Sequence, residues 1–112
     1  MRLELRRVIL FTRNLEPMGR FYGEVLGLEL ANSEAGWREY RAGAVVVALH
    51  EGEPKIGKRP PKLAFYAADV ATVRAVLIRR GATMGKVLST SSFDLCDGKD
   101  PDGNPFQISS RK

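Results

Sequence analysis

The pattern of apolar and polar positions at the start of the chain predicts a strand followed by a helix. Residues 5–12 (LRRVILFT) are rich in Val, Ile and Phe, which is typical of a strand. Asn14 follows as a candidate N-cap, and Pro17 lies in the first helical turn, where a missing N–H is harmless. Gly27 is placed to end the helix. The apolar residues between them have the i, i+3, i+4, i+7 spacing of one helix face: Met18, Phe21, Tyr22 and Val25.

The same order of signals returns in the second half of the chain. Residues 62–67 (KLAFYA) predict another strand, Asp69 is a second candidate N-cap, and Gly81 is placed to end a second helix. The apolar stripe of this helix consists of Val70, Val73, Val76 and Leu77. The two caps, Asn14 and Asp69, are 69 − 14 = 55 positions apart, close to half of the 112 residues. A pattern that recurs at half the chain length indicates an internal duplication.

Strand-like segments after each helix complete two modules of the form βαβββ. In the first half they are residues 28–31, 37–41 and 44–50; in the second half they are residues 83–88, 93–96 and 105–109. Residues 51–61 (EGEPKIGKRPP) contain three prolines and two glycines and predict an irregular linker. The chain is therefore expected to be a single domain, 1–112, with module one at 1–50 and module two at 62–112.

Each predicted module has one helix and one small sheet, which is too little to bury the hydrophobic face of the sheet alone. We therefore expect an α+β fold in which two βαβββ modules pair their curved mixed sheets. The helices would cover the outer faces, and the inner faces would form a concave cleft.

Composition and charge exclude several classes of protein. A single cysteine, Cys96, excludes an intrachain disulfide framework, and a single histidine, His50, excludes a multi-His zinc site within one chain. The net charge is +5, but only residues 55–62 form a compact basic cluster, which we interpret as a solvated loop. We expect no nucleic-acid partner. Apolar runs are too short to span a bilayer and no secretory signal is evident, so we expect no membrane partner and a cytoplasmic location.

Three stretches of the sequence resemble the vicinal oxygen chelate superfamily, which includes glyoxalase I, bleomycin- and fosfomycin-resistance proteins and extradiol dioxygenases. The first module of that superfamily is similar to residues 8–30, VILFTRNLEPMGRFYGEVLGLEL. Its second helical module is similar to residues 63–81, LAFYAADVATVRAVLIRRG, and its last hairpin to residues 97–109, DGKDPDGNPFQIS. The resemblance implies the paired βαβββ fold. It also implies dimers for many members, and we expect this chain to form a homodimer.

The resemblance also implies where a metal ion would be held. Members that use a metal have His, Glu or Gln at four positions, which match Arg7, Ala48, Lys62 and Gln107 in this sequence. The cationic side chains of Arg7 and Lys62 do not coordinate a metal ion, and Ala48 has no donor atom. The neutral amide of Gln107 alone does not hold a divalent ion. His50, two residues after Ala48, could add a second ligand, still short of the three protein ligands usual in catalytic zinc sites. We therefore expect no metal and no cofactor.

The faces of the two outer strands predict the character of the cleft. Alternation places Arg7, Ile9 and Phe11 on one face of the first strand, and Lys62 and Tyr66 on one face of the fifth. Aromatic rings beside two cations suit a small anionic or aromatic ligand. In the alternative, both long cationic side chains reach into solvent and leave an apolar cleft. The candidate ligand-binding residues are Arg7, Ile9, Phe11, Trp37, His50, Lys62, Tyr66 and Gln107.

These observations favour a metal-free small-molecule-binding protein of the sequestration or resistance type. The alternative is a divalent-metal-dependent lyase or dioxygenase of the same superfamily, using His50, Glu51 and Gln107. A protein–protein module without a ligand is a third class. No catalytic residue is identified: Cys96 has no histidine nearby in sequence to activate it. Residues 100–104 (DPDGN) predict a tight turn rather than a calcium loop.

Overall fold

The computed structural model describes all 112 residues, which divide into two compact units, Met1–Lys55 (unit 1) and Ile56–Lys112 (unit 2). The strands of unit 1 are β1 (Arg7–Thr12), β2 (Glu29–Glu34), β3 (Trp37–Ala42) and β4 (Val45–Glu51). Its helix α1 (Leu15–Arg20) continues into a π-helical turn, Phe21–Val25. The elements of unit 2 are β5 (Leu63–Tyr66), α2 (Val70–Arg79), β6 (Leu88–Ser89), β7 (Asp94–Lys99) and β8 (Pro105–Ser109). The boundary between the units falls inside the predicted linker.

Both units contain a four-stranded mixed sheet with the same topology. In unit 1 the strand order is β1-β4-β3-β2, and β1 pairs with β4 in parallel while the other pairs are antiparallel. The order in unit 2 is β5-β8-β7-β6, with β5 parallel to β8. The predicted α+β class with two βαβββ modules is confirmed. The pairing of the two sheets around one cleft stays a prediction.

The helix of unit 1 packs on one sheet face through the predicted apolar stripe. Met18, Phe21 and Tyr22 are buried. The buried ring of Tyr40 lies directly against the helix backbone, because a Cβ atom at Gly19 would stand 2.8 Å from its Oη atom. Burial raises the pKa of the Tyr40 phenol.

Both helices begin and end where the sequence predicts. Gly27 and Gly81 have φ values of 75° and 100°, the left-handed region in which glycine is favoured. Asp69 caps α2 by accepting a hydrogen bond from the Thr72 backbone N–H at 3.1 Å, which lowers the pKa of Asp69. Asn14 occupies the N-cap position of α1, but its side chain makes no capping hydrogen bond. The predicted N-cap position of Asn14 is therefore confirmed, although no side-chain hydrogen bond caps the helix there.

Several strand boundaries differ from the prediction. The strand expected at residues 83–88 is reduced to the two residues of β6, preceded by one isolated bridge between Met84 and Gly98. Strand β7 continues to Lys99 instead of ending at residue 96. In unit 1, β1 begins at Arg7 rather than residue 5, and β2 extends to Glu34 past a bulge. No helix in the structure is long and apolar enough to cross a membrane.

The turn that joins β7 to β8 is built around one buried carboxylate, as its sequence predicted. Asp100 is 5% exposed. Its Oδ1 atom accepts hydrogen bonds from the backbone N–H groups of Asp102 at 3.0 Å and Asn104 at 2.9 Å. Its Oδ2 atom accepts a third, from the Asn104 side-chain amide at 2.8 Å. The Asp100 carboxylate therefore stabilises the turn by accepting hydrogen bonds from N–H groups of the turn itself, as in a tight turn and not as in a calcium loop.

Candidate functional site

Strand register aligns side chains into rows across the face of the unit 1 sheet opposite to the face that packs on helix α1. The row across the middle consists of Ile9, Ala48 and Glu39. The next row consists of Phe11, His50 and Trp37. The predicted alternation along β1 is confirmed, since Arg7, Ile9 and Phe11 are exposed while Val8 and Leu10 are half-buried. Five of the eight candidate binding residues therefore share this face: Arg7, Ile9, Phe11, Trp37 and His50.

Three aromatic rings form a cluster at one end of this face. The His50 imidazole lies between the other two rings, with its centroid 5.2 Å from that of Phe11 and 5.3 Å from that of Trp37. The Trp37 ring meets His50 edge-on, at an interplanar angle of 71°. Phe11 is 48% exposed, so a large apolar area of the cluster faces outward. Sequence analysis identified all three residues, but not that they are in contact.

A carboxylate that sequence analysis missed organises the polar part of the same face. Glu39 Oε2 accepts a hydrogen bond from the Trp37 indole Nε1–H at 2.7 Å and lies 3.7 Å from Arg7 Nε. The Glu39 side chain is 15% exposed, against 43% for Arg7. The carboxylate therefore holds the indole in one orientation and compensates the charge of Arg7. One feature of the sequence could have identified Glu39: it follows Trp37 by two residues, so both side chains lie on the same face of β3.

Unit 2 carries a related arrangement on its exposed sheet face. The middle row consists of Ala64, Gln107 and Asp97. Asp97 Oδ1 accepts hydrogen bonds from Lys62 Nζ and from Gln107 Nε2, both at 3.1 Å. Tyr66 is 56% exposed and lines, with Gln107, a depression of about 250 Å³. Lys62, Tyr66 and Gln107 are thus brought to one face, and Asp97 is the member that sequence analysis did not assign.

Both predicted site cations face a carboxylate at equivalent places in the duplicated modules. Ile9 and Ala64 are 55 positions apart, the repeat length, and each lies in the middle row that ends in the carboxylate of Glu39 or Asp97. Arg7 and Lys62 are therefore each paired with a carboxylate, which the sequence pattern did not reveal. In module one, Glu39 of β3 pairs with Arg7, which lies two residues before Ile9. In module two, Asp97 of β7 pairs with Lys62, which lies two residues before Ala64.

At the four positions where the resemblance to the superfamily implies metal ligands, the residues of this chain do not fit a metal ion. Arg7 and Lys62 are cations in ion pairs, and Ala48 has no donor atom. The amide Nε2 of Gln107 is directed at Asp97. Nowhere in the structure do three or more His, Cys, Asp or Glu side chains form a group that could hold a metal ion.

Cys96 is buried in β7, and burial raises the pKa of its thiol. A raised pKa leaves less thiolate, the reactive form, at neutral pH. We expect a thiol reagent such as dithionitrobenzoate to label the folded protein slowly at neutral and mildly alkaline pH. Labelling should become fast and stoichiometric in concentrated urea. Rapid stoichiometric labelling of the folded protein at neutral pH would show instead an accessible, activated thiol.

Comparisons with known proteins agree with the observed fold. Residues 7–109 match the family model described as a glyoxalase-like domain. A glyoxalase/bleomycin resistance protein/dioxygenase family enzyme from Burkholderia phytofirmans PsJN has a TM-score of 0.83 and 22% identity, over 96% of this chain and 98% of that chain. TnmS3, an antibiotic binding protein from Streptomyces sp. CB03234, has a TM-score of 0.79 and 22% identity, over 95% and 93%.

Lactoylglutathione lyase from Agrobacterium tumefaciens has a TM-score of 0.75 and 18% identity, over 95% of this chain and 92% of that chain. No curated protein matches the sequence. At these identities the three solved structures show a common fold, and the family model adds a match to the sequence itself.

Proposed function

The chain belongs to the glyoxalase-like domain family, as its sequence motifs predicted, and on this premise we propose that it binds a small aromatic molecule without a metal ion. The binding surface in this proposal is the exposed face of the unit 1 sheet. The observation that carries it is the cluster of Phe11, His50 and Trp37 beside the Arg7–Glu39 pair. The protein would act by sequestering its ligand, as resistance proteins of the superfamily do.

The aromatic cluster supplies the apolar part of the recognition. Flat ligands gain from edge-to-face or offset contact with aromatic rings, by about 0.5–1.5 kcal/mol per pair beyond the burial of area. Phe11 offers a ring that is 48% exposed, next to the imidazole of His50. Because Glu39 fixes the Trp37 indole through a 2.7 Å hydrogen bond, little side-chain entropy is lost when a ligand packs on it.

The Arg7–Glu39 pair supplies the polar part. Arg7 Nε faces Glu39 at 3.7 Å, and the half-exposed guanidinium has further N–H donors. A carbonyl, phenolate or carboxylate oxygen of a ligand can accept from these donors while the rings hold its planar body. The charge of Arg7 is compensated by Glu39, so the rings contribute more to affinity than the net charge of the ligand.

Related proteins support binding as the function. The Streptomyces protein TnmS3 is described as an antibiotic binding protein, and its fold extends over nearly all of this chain. In this chain, the positions that match the metal ligands of the superfamily carry Arg7, Ala48 and Lys62, which do not bind metal. Because the proposed surface carries aromatic rings, antibiotics with a planar aromatic ring are a suitable first class of ligand to test.

A binding assay with ring-removing variants tests the proposal. Chelator-treated protein is screened by thermal shift against planar aromatic compounds, including aromatic antibiotics, and the best ligand is titrated by calorimetry. Phe11→Ala and His50→Ala should each weaken that ligand about tenfold, since each removes one ring of the cluster. The control is Ile78→Ala, which removes an exposed apolar side chain from helix α2 and should leave affinity unchanged.

If Phe11→Ala and His50→Ala bind the ligand as tightly as the wild type and the Ile78→Ala control do, binding on the unit 1 face is contradicted. Binding that appears only after a divalent metal is added would contradict the metal-free proposal and favour the alternative of a metal-dependent enzyme. A screen in which no compound raises the melting temperature would contradict small-molecule binding itself.

A further inference from the structure

A groove of about 520 Å³ in unit 2 is lined by positively charged side chains that have no role in the proposed function. Linker residues 56–60 line one side of it, and the end of the β7–β8 hairpin lines the other. Its charged lining residues are Lys58, Arg59, Lys62 and Lys99. The prolines and glycines around the cluster at 55–62 predicted a solvated loop. Lys99 is distant in sequence and reaches the groove only through the β7–β8 hairpin.

The charge of this groove is largely uncompensated. No Asp or Glu lines it, and Lys58, Arg59 and Lys99 are exposed and form no ion pair. Only Lys62 has a carboxylate partner, Asp97 at 3.1 Å. Asp100, which follows Lys99, is buried and accepts hydrogen bonds within its turn. Like charges around one groove repel each other, and a bound anion relieves that repulsion.

The walls of the groove are preorganised and partly apolar. Pro60 restricts the backbone beside Arg59, and the Asp100 carboxylate fixes the turn that carries Gly103. Ile56 is 38% exposed, and Pro60 and Pro105 add further apolar surface. The groove therefore offers contacts for an organic body as well as for charge, and its volume lies within the range of about 300–1,000 Å³ usual for small-molecule sites.

We propose that this groove binds a phosphorylated small molecule of nucleotide size that carries two or more negative charges. The phosphate oxygens accept charge-assisted hydrogen bonds from Lys58, Arg59 and Lys99, and the organic body packs on Ile56 and the prolines. A small molecule is favoured over a nucleic acid because the cations surround one groove and do not follow an extended track. No residue of the aromatic cluster lines this groove, and the proposal does not depend on that cluster.

The test is a calorimetric titration of the intact protein with ATP and with inorganic triphosphate, in chelator and at low ionic strength. ATP should bind with one-to-one stoichiometry and more tightly than triphosphate, which lacks the organic body. The double variant Lys58→Ala/Arg59→Ala should weaken ATP at least about tenfold, and Lys99→Ala on the opposite wall should weaken it severalfold.

The matched control is Arg2→Ala/Arg79→Ala, which removes the same charge from exposed positions outside the groove. It should change ATP affinity less than about twofold. Circular dichroism verifies the fold of each variant. The proposal is overturned if ATP does not bind or if the control loses as much affinity as the groove variant. It is also overturned if single-stranded oligonucleotides displace ATP with an affinity that rises with their length, which would indicate a nucleic-acid surface.

Discussion

Replacing Gly98 with alanine is expected to destabilise the protein by about 3 kcal/mol, at the upper end of the usual cost of overpacking a core. Gly98 is buried in β7, and a Cβ atom there would stand 2.6 Å from Met84 Sδ and 2.7 Å from Phe106 Cζ. The thioether of Met84 can move aside, but the Phe106 ring is fully buried and has no free space to enter. Urea unfolding followed by circular dichroism measures the loss.

Two further variants separate this steric cause from a general effect of alanine. Gly57→Ala adds a methyl group where no atom lies within 4 Å of the new Cβ, and it should be neutral within about 0.5 kcal/mol. In the double variant Gly98→Ala/Phe106→Leu, the smaller side chain should recover part of the loss, so the two changes should be less than additive. Full additivity would mean that the Phe106 ring is not the obstacle.

Removing the buried carboxylate of the β7–β8 turn should cost a similar amount, about 2–3 kcal/mol for Asp100→Ala. The change leaves the backbone N–H groups of Asp102 and Asn104 without the acceptor they share, at 3.0 and 2.9 Å. It also removes the acceptor of the Asn104 side-chain amide. The free energy of unfolding, measured in urea, should fall accordingly.

The conservative variant Asp100→Asn should lie between the wild type and Asp100→Ala. Its carbonyl oxygen can still accept from the backbone, but its amide cannot accept from that of Asn104. The control Pro101→Ala alters an exposed residue of the same turn and should cost less than about 1 kcal/mol. If Asp100→Ala costs no more than Pro101→Ala, the carboxylate does not hold the turn.

Local periodicity is the reason that the repeat and both helices were predictable. The spacing of Met18, Phe21 and Tyr22 matches one helix face whatever the rest of the chain does, and positive φ at Gly27 and Gly81 is a local requirement. The same reasoning failed for Gly98, since glycine is expected in turns. Its actual role, close packing against Phe106, depends on a contact between strands that no local pattern contains.

The candidate site shows a similar division between local and non-local information. Alternation along β1 placed Arg7, Ile9 and Phe11 on one face correctly. The carboxylate partners of the site cations are distant in sequence, so a local pattern does not reveal them. Lys62, for example, donates a hydrogen bond to Asp97, which is 35 positions away in the chain. Sequence reasoning therefore identified cations and rings but missed the carboxylates that compensate and orient them.

The fluorescence of Trp37, the single tryptophan of the chain, tests the central claim most directly. Its indole belongs to the proposed binding face, so a planar aromatic ligand bound there should change the emission with a saturable dependence on concentration. We expect the same midpoint in the presence of a chelator and after addition of divalent metal ions. A change that appears only with metal, or a ligand that raises the melting temperature without altering Trp37 emission, would contradict metal-free binding at this face.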